Sequence, residues 1–221
     1  MTTIDPTKTA LIIQDLQNDV IMPGGVFCKE PGPAEHAKKQ NVVAHAIKLA
    51  TAARTKGLPV IHVWIVVEPD ARGLKLNAPL FHLIKSAKGI VRGSWGAKPV
   101  EGLEAQAGDF VVEKTRMCAF TDTNLEQILK GCGIDRIIII GSWTNFSIEH
   151  TARTGADLGY ECTVISDATS TINDEWQHAA LNYALTNIAE IGTTEDALRA
   201  QSGRLPCQQN LATQTKTARR L

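Results

Sequence analysis

Asp135 to Arg153 reads DRIIIIGSWTNFSIEHTAR, and no other stretch limits the fold as much. Ile137 to Ile140 is an unbroken β-branched run, the kind that suits a strand covered on both faces. Gly141 allows a sharp bend after it. From Phe146 the pattern turns helical, with Ile148, Thr151, Ala152 and Gly155 at the spacing of one packed helix face. A strand feeding a helix in this way holds Thr144 to Ser147 at the carboxyl edge of a sheet. Backbone N–H groups in a helix's first turn lack intrahelical partners and attract developing negative charge. Such a corner is a place to attack a carbonyl.

The rest of the chain repeats the alternation of strand and helix. Thr9 to Gln14 is an apolar strand ending at Asp15, followed by a loop through Leu16 to Asp19 and Pro23-Gly24-Gly25. Ala34 to Lys56 carries a helical stripe closed by Gly57, and Pro59 to Val67 is a second buried strand. Glu68 to Lys98 has little regular pattern beyond Leu80 to Ile84 and reads as loops and short helices, a length that usually serves function. Asp109 to Glu113 is a third strand that delivers Lys114 at its end. Thr121 to Leu129 is a helix capped by Thr121 or Asp122. Glu161 to Ile165 is a fifth strand, turning out at Ser166-Asp167-Ala168; Asp174 to Ala189 is a helix, and Glu190 to Gly192 a short sixth strand. Successive βαβ units imply right-handed crossovers and a three-layer α/β/α fold around a parallel sheet. One domain is expected over residues 1–202, with a polar tail at 203–221 that is either disordered or laid over a neighbouring subunit.

Charge and composition exclude several classes of partner. The 23 Lys plus Arg balance the 23 Asp plus Glu, so no long-range field recruits nucleic acid or an anionic membrane. No apolar run approaches the ~20 residues that span a bilayer, and the opening MTTIDPTKTALIIQD lacks the basic and apolar regions of a secretory signal. The five cysteines, Cys28, Cys118, Cys132, Cys162 and Cys207, are scattered and contain no CxxC pair, so free thiols in a reducing cytoplasm are expected.

In an open parallel sheet ligands bind beyond the carboxyl ends of the strands. Asp15, Lys114 and Ser147 all sit at such ends. Taken singly, an Asp there is often a helix cap, a Lys is usually solvated, and a Ser is ordinarily a capping group. Their conjunction on one sheet edge is more specific than any of them alone.

Three segments, in this order, resemble the isochorismatase-like hydrolases, also called cysteine hydrolases. ALIIQDLQND is similar to that family's opening strand with its catalytic Asp, VVEKTRMCAFTDTNL to its Lys-x-Arg-x-Ser-Ala-Phe segment, and IIIIGSWTNFSIEHTARTGADLGYECTVISDA to the segment that normally holds the nucleophile. The resemblance covers about Thr9 to Thr194. It implies a six-stranded parallel sheet between helices, assembly as a homodimer or homotetramer, and catalysis by Asp15, Lys114 and the residue at position 147. Thr144 and Ser147 would supply the oxyanion-binding N–H groups, and a cis peptide is implied at Trp143-Thr144.

Ser147 departs from this pattern, because the amidase members carry cysteine there. Two explanations stand open: a replacement that keeps the shape and removes the good nucleophile, or a natural lack of the thiol as in isochorismatases proper, which cleave a vinyl ether without a covalent intermediate. Thr144, Asn145, Thr151, Ala152 and Arg153 follow the cysteine-bearing pattern and favour the first. Cys118 stands where the family often has Ser and reads as a small buried thiol. A thiol with a pKa of about 8.5 needs a base at neutral pH, which the resemblance assigns to Asp15 with Lys114 as the cation beside it. A serine hydroxyl ionises far less readily, so the chain as written is expected to be nearly inactive as an amidase.

No metal is expected. The Asp-x-His pair of nicotinamidase-like members has no counterpart in HVWIVVEPDARG, and His62, His82, His150 and His178 lack ligand spacing. GxGxxG and GxxxxGK[ST] are absent, so no nucleotide cofactor is expected either. For the substrate, Trp143, Phe146 and Phe27 are candidate pocket aromatics, and Asn145 and Gln17, with Asn18, Arg72 and Arg116, are candidate polar contacts. The partner expected is a small linear amide or ureide, such as biuret, ureidoacrylate or an N-carbamoyl compound.

Overall fold

The computed structural model describes residues 4–29 and 31–201; the tail expected at 203–221 lies outside them. Six strands form one parallel sheet: β1 (Thr9–Gln14), β2 (Val60–Ile65), β3 (Phe110–Lys114), β4 (Arg136–Ser142), β5 (Glu161–Ser170) and β6 (Glu190–Gly192), in the order β3-β2-β1-β4-β5-β6. The chain winds outward from β1 to β3, returns to β4 beside β1, and winds the other way. The switch therefore falls between β1 and β4, where a crevice opens at the carboxyl ends.

Helices cover both faces. On one side lie α1 (Asn18–Ile21), α2 (Pro33–Lys39), α3 (Val42–Thr55), α4 (Pro79–Ala87) and α8 (Thr194–Gln201). On the other lie α5 (Leu125–Gly131), α6 (Glu149–Asp157) and the segment after α7 (Asp174–Ala179). Period-two alternation sends Leu11 and Ile13 of β1, with Ile138 and Ile140 of β4, into the first layer. Ala10, Ile12, Ile137 and Ile139 enter the second. Ile137 to Ile140 are all fully buried, at roughly 1.5–3 kcal/mol of hydrophobic stabilisation each. On α3 the stripe Val42, Ala46, Leu49, Ala50, Ala53 meets the sheet, and small residues allow close approach.

Several boundaries differ from those read off the sequence. The expected helix at Ala34 to Lys56 is two, because Asn41 takes a left-handed conformation (φ 55°) between α2 and α3; Asn tolerates that region. Residues 16–19, expected as loop, include the start of α1. The helix expected from Thr121 starts at Leu125, since Thr123 Oγ1 donates to the Ala119 carbonyl and accepts from Leu125 N, shaping a turn first. β5 runs on through the expected turn at Ser166-Asp167-Ala168 to Ser170, where Thr169 and Ser170 pair with Gly141 and Ser142 of β4. The helix expected over Asp174 to Ala189 is α7 followed by a π-helical turn at Ala180–Ala184. The helix after the corner likewise opens with a π-helical turn, Thr144–Ile148, before α6.

Candidate active site

Asp15, Lys114 and Ser147 meet in the crevice. Lys114 closes β3 rather than following it, and pairing with Ile65 of β2 sets its position two strands from β1. Its Nζ donates to Asp15 Oδ2 at 2.8 Å, to the Met117 carbonyl at 2.9 Å and to the Arg116 carbonyl at 3.0 Å, with Ser147 Oγ at 3.5 Å. Three acceptors, one of them charged, match the three protons of an ammonium. Asp15 leaves β1 with φ 55°, a left-handed turn that throws its carboxylate sideways toward Lys114.

Burial dominates the electrostatics. Removal from water pushes the Asp15 carboxyl above its ordinary range, while the Lys114 charge and its hydrogen bond, then Ser147 and Gln14, pull it back. Removal from water lowers the Lys114 ammonium, opposed chiefly by Asp15 and in smaller part by Cys118. Asp15 Oδ1 is buried and has no hydrogen-bond partner among the described residues. That oxygen is the one free to receive a proton, and a carboxylate destabilised by burial receives it more readily.

The corner is built against β1. Gly141 takes φ 129°, and a Cβ there would stand 1.9 Å from the Gln14 carbonyl oxygen, so glycine alone permits this approach. A cis peptide is present, but at Ser142-Trp143 rather than at the expected Trp143-Thr144. The Trp143 carbonyl accepts from Phe146 N at 3.0 Å and Ile148 N at 3.3 Å. The Thr144 hydroxyl is turned away, donating to Gln177 Oε1 at 2.6 Å.

A cavity of ≈ 50 Å³ adjoins Asp15 and Ser147, walled largely by apolar side chains that include Phe27, Ile84, Ile90, Trp143 and Phe146. Three of the expected substrate contacts, Phe27, Trp143 and Phe146, thus face it. Gln17 does not: its Nε2 donates to the Ile65 and Ala97 carbonyls and its Oε1 accepts from Ile65 N, so its amide is spent tying loops to β2. Asn145 is not among the side chains that line it, and its Oδ1 accepts from the Thr171 hydroxyl. The buried Gln17 amide, satisfied by the protein, has no bond to spare for a ligand.

Three supporting residues escaped the sequence reading. Gln14, fully buried, donates from Nε2 to the Met117 and Ser147 carbonyls at 3.1 and 3.2 Å, joining the Lys114 segment to the corner. Met117 adds its carbonyl to Lys114 and its Sδ to Ser147 Oγ at 3.6 Å. Asp19 accepts from Val26 N at 3.2 Å and Ile90 N at 2.6 Å, fixing the two loops that carry Phe27 and Ile90. A polar residue ending an apolar strand was the visible signal for Gln14; the other two gave none.

Among the described residues no group of three or more His, Cys, Asp and Glu side chains could hold a metal ion. His62 pairs with Asp109 at 3.1 Å, away from the crevice. Cys28, Cys118, Cys132 and Cys162 are unpaired, and Cys207 lies outside the described residues. No described helix is long and apolar enough to cross a membrane.

A six-stranded parallel sheet between two helical layers, with polar side chains gathered at its switch point, has the isochorismatase-like α/β architecture. A family model described as the isochorismatase domain matches residues 9–196, and the chain belongs to that family. A cysteine hydrolase from Pseudomonas syringae pv. phaseolicola 1448A superposes with TM-score 0.81 over 93% of this chain and 97% of its own, at 24% identity. An isochorismatase family protein from Burkholderia thailandensis is 31% identical over 91% and 99% of the two chains, with TM-score 0.75. N-carbamoylsarcosine amidase from Thermoplasma acidophilum is 26% identical over 85% and 97%, with TM-score 0.67.

Proposed function

We propose that this protein is built for hydrolysis of a C–N bond in a small linear amide or ureide. Asp15 is the proton carrier, Lys114 the fixed cation and position 147 the nucleophile. The observation that carries the reading is Lys114 Nζ held between Asp15 Oδ2 and Ser147 Oγ at the wall of a cavity. Membership in the isochorismatase family, and likeness to a protein named as an N-carbamoylsarcosine amidase, support it.

In the thiol-bearing form of such a site, Asp15 takes the proton of the nucleophile as sulfur attacks the carbonyl carbon. The oxyanion rests on the backbone N–H groups of Thr144 and residue 147, where one donor is typically worth ~3–4 kcal/mol. Asp15 returns the proton to the nitrogen as the C–N bond breaks, and a water activated by the same carboxylate releases the acid. Lys114 stays charged throughout and keeps Asp15 in place. Among the substrates expected, the apolar cavity wall favours one with a carbon stem over an all-polar ureide such as biuret.

Ser147 keeps this geometry with a poor nucleophile. Ser147→Cys is therefore expected to release ammonia from amides and to be labelled covalently at that position, while the chain as written does so only marginally. Failure of Ser147→Cys to label or to hydrolyse any amide in a broad panel overturns the reading. The hydroxyl itself favours one rival, a non-covalent vinyl-ether hydrolase, which predicts pyruvate release by the unaltered chain and its loss in Asp15→Ala.

A further inference from the structure

Arg116 is the exception among the described arginines. Each of the others has a carboxylate oxygen within 3.8 Å. The Arg116 guanidinium instead donates to two neutral acceptors, the Lys75 carbonyl at 3.1 Å and Asn77 Oδ1 at 2.9 Å, and stacks 3.6 Å above the Phe81 ring. Two of its five donors are used, and its plane is held rigidly by the ring and both bonds. A half-buried, preorganised cation without a counter-ion attracts an anion in bidentate geometry.

Arg116 faces an open chamber of ≈ 680 Å³ that shares Leu80, Met117 and Phe146 with the cavity over Ser147. The two spaces therefore adjoin across these three side chains. The first residues of α4, Pro79 and Leu80, line the same chamber, so the positive end of that helix adds to the field. Asn77, Thr121 and His150 add polar groups beside Arg116 to a wall that is otherwise largely apolar, like that of the inner cavity.

We propose that the outer chamber is a carboxylate subsite and that the substrate is an ω-amido acid. Its amide reaches Ser147 through the inner cavity, its short carbon stem lies along Leu80, Met117 and Phe146, and its terminal carboxylate binds Arg116. This specifies the substrate class of the hydrolase proposed above and rests on that reading for the position of the amide.

The test is calorimetric binding to the chain with Ser147 in place, where turnover does not interfere. Malonamate, succinamate and glutaramate are each compared with the corresponding diamide at low salt. At least one acid is expected to bind about tenfold or more tightly than its diamide, as a charge-assisted hydrogen-bonded pair confers. Arg116→Gln should bring that acid down to the affinity of the diamide, and Arg116→Lys should keep part of the preference. A merely structural role would weaken acid and diamide together and lower the melting temperature. The proposal is overturned if no acid outbinds its diamide, or if the preference survives Arg116→Gln. Amidase activity of Ser147→Cys on neutral amides without any charge preference sinks the subsite alone. A charge preference in a Ser147→Cys protein that hydrolyses nothing sinks the hydrolase alone.

Discussion

Lys114 Nζ lies 2.8 Å from Asp15 Oδ2, across 99 residues of sequence, with side chains 0% and 3% exposed. Each charge is tolerable there only because of the other. Deleting one leaves the second buried and uncompensated, which typically costs ~3–5 kcal/mol, whereas neutralising both costs far less. Lys114→Met is therefore expected to lower unfolding free energy by about that amount in urea titration. Adding Asp15→Asn should restore part of it. Additive losses in the double variant would show that the pair is not coupled.

A pH profile follows from the direction of the Asp15 shift. Burial raises its carboxyl above the usual value of 3.8, and catalysis requires the ionised form. In Ser147→Cys, kcat/KM for an amide should be full near neutrality and fall with acid at a midpoint above 3.8. The same raised pKa makes ionised Asp15 a net cost to folding at neutral pH, with that part of the stability recovered as pH drops through the folded value. An acid limb at or below the unperturbed value would remove Asp15 as the base.

Gln14→Leu keeps volume while leaving the Met117 and Ser147 carbonyls without their amide donor. The Met117 carbonyl keeps Lys114 Nζ as a donor, so a loss of ~1 kcal/mol of stability is expected for the hydrogen bonds removed. Ser147→Cys activity should fall roughly tenfold in this background, since ~1.4 kcal/mol of misplacement at the corner has that effect. Unchanged kinetics beside lowered stability would make Gln14 structural only.

Gly141→Ala puts a methyl group 1.9 Å from the Gln14 carbonyl oxygen at φ 129°. Strain and overpacking together predict a loss of at least about 2 kcal/mol. A variant that melts with the parent would mean that the corner can move away from β1 without cost.

Much of the fold was legible because local pattern carried it. The four isoleucines of β4 and the stripe of α3 mark a covered sheet and its helix, and Gly141 marks the bend, since periodicity and backbone freedom are properties of short segments. The conjunction of Asp15, Lys114 and Ser147 at strand ends was equally visible once the strands were placed. Gln17 was misread as a ligand contact for a physical reason. Whether an amide is free to bind depends on partners such as Ile65 and Ala97, which are distant in sequence. Helix starts shifted where side chains compete with the backbone, as Thr123 does before α5.

By itself, then, the chain's order of residues determined the alternating α/β layout, the strand ends that bear charge and the family resemblance. Only the tertiary structure decided that Asp15 and Lys114 are sealed from water as a pair, that Gln14 and Asp19 brace the crevice, and that Arg116 stands over a second chamber with no counter-ion among the described residues. Desolvation and satisfaction of polar groups are set by what packs around an atom, and no local pattern encodes that.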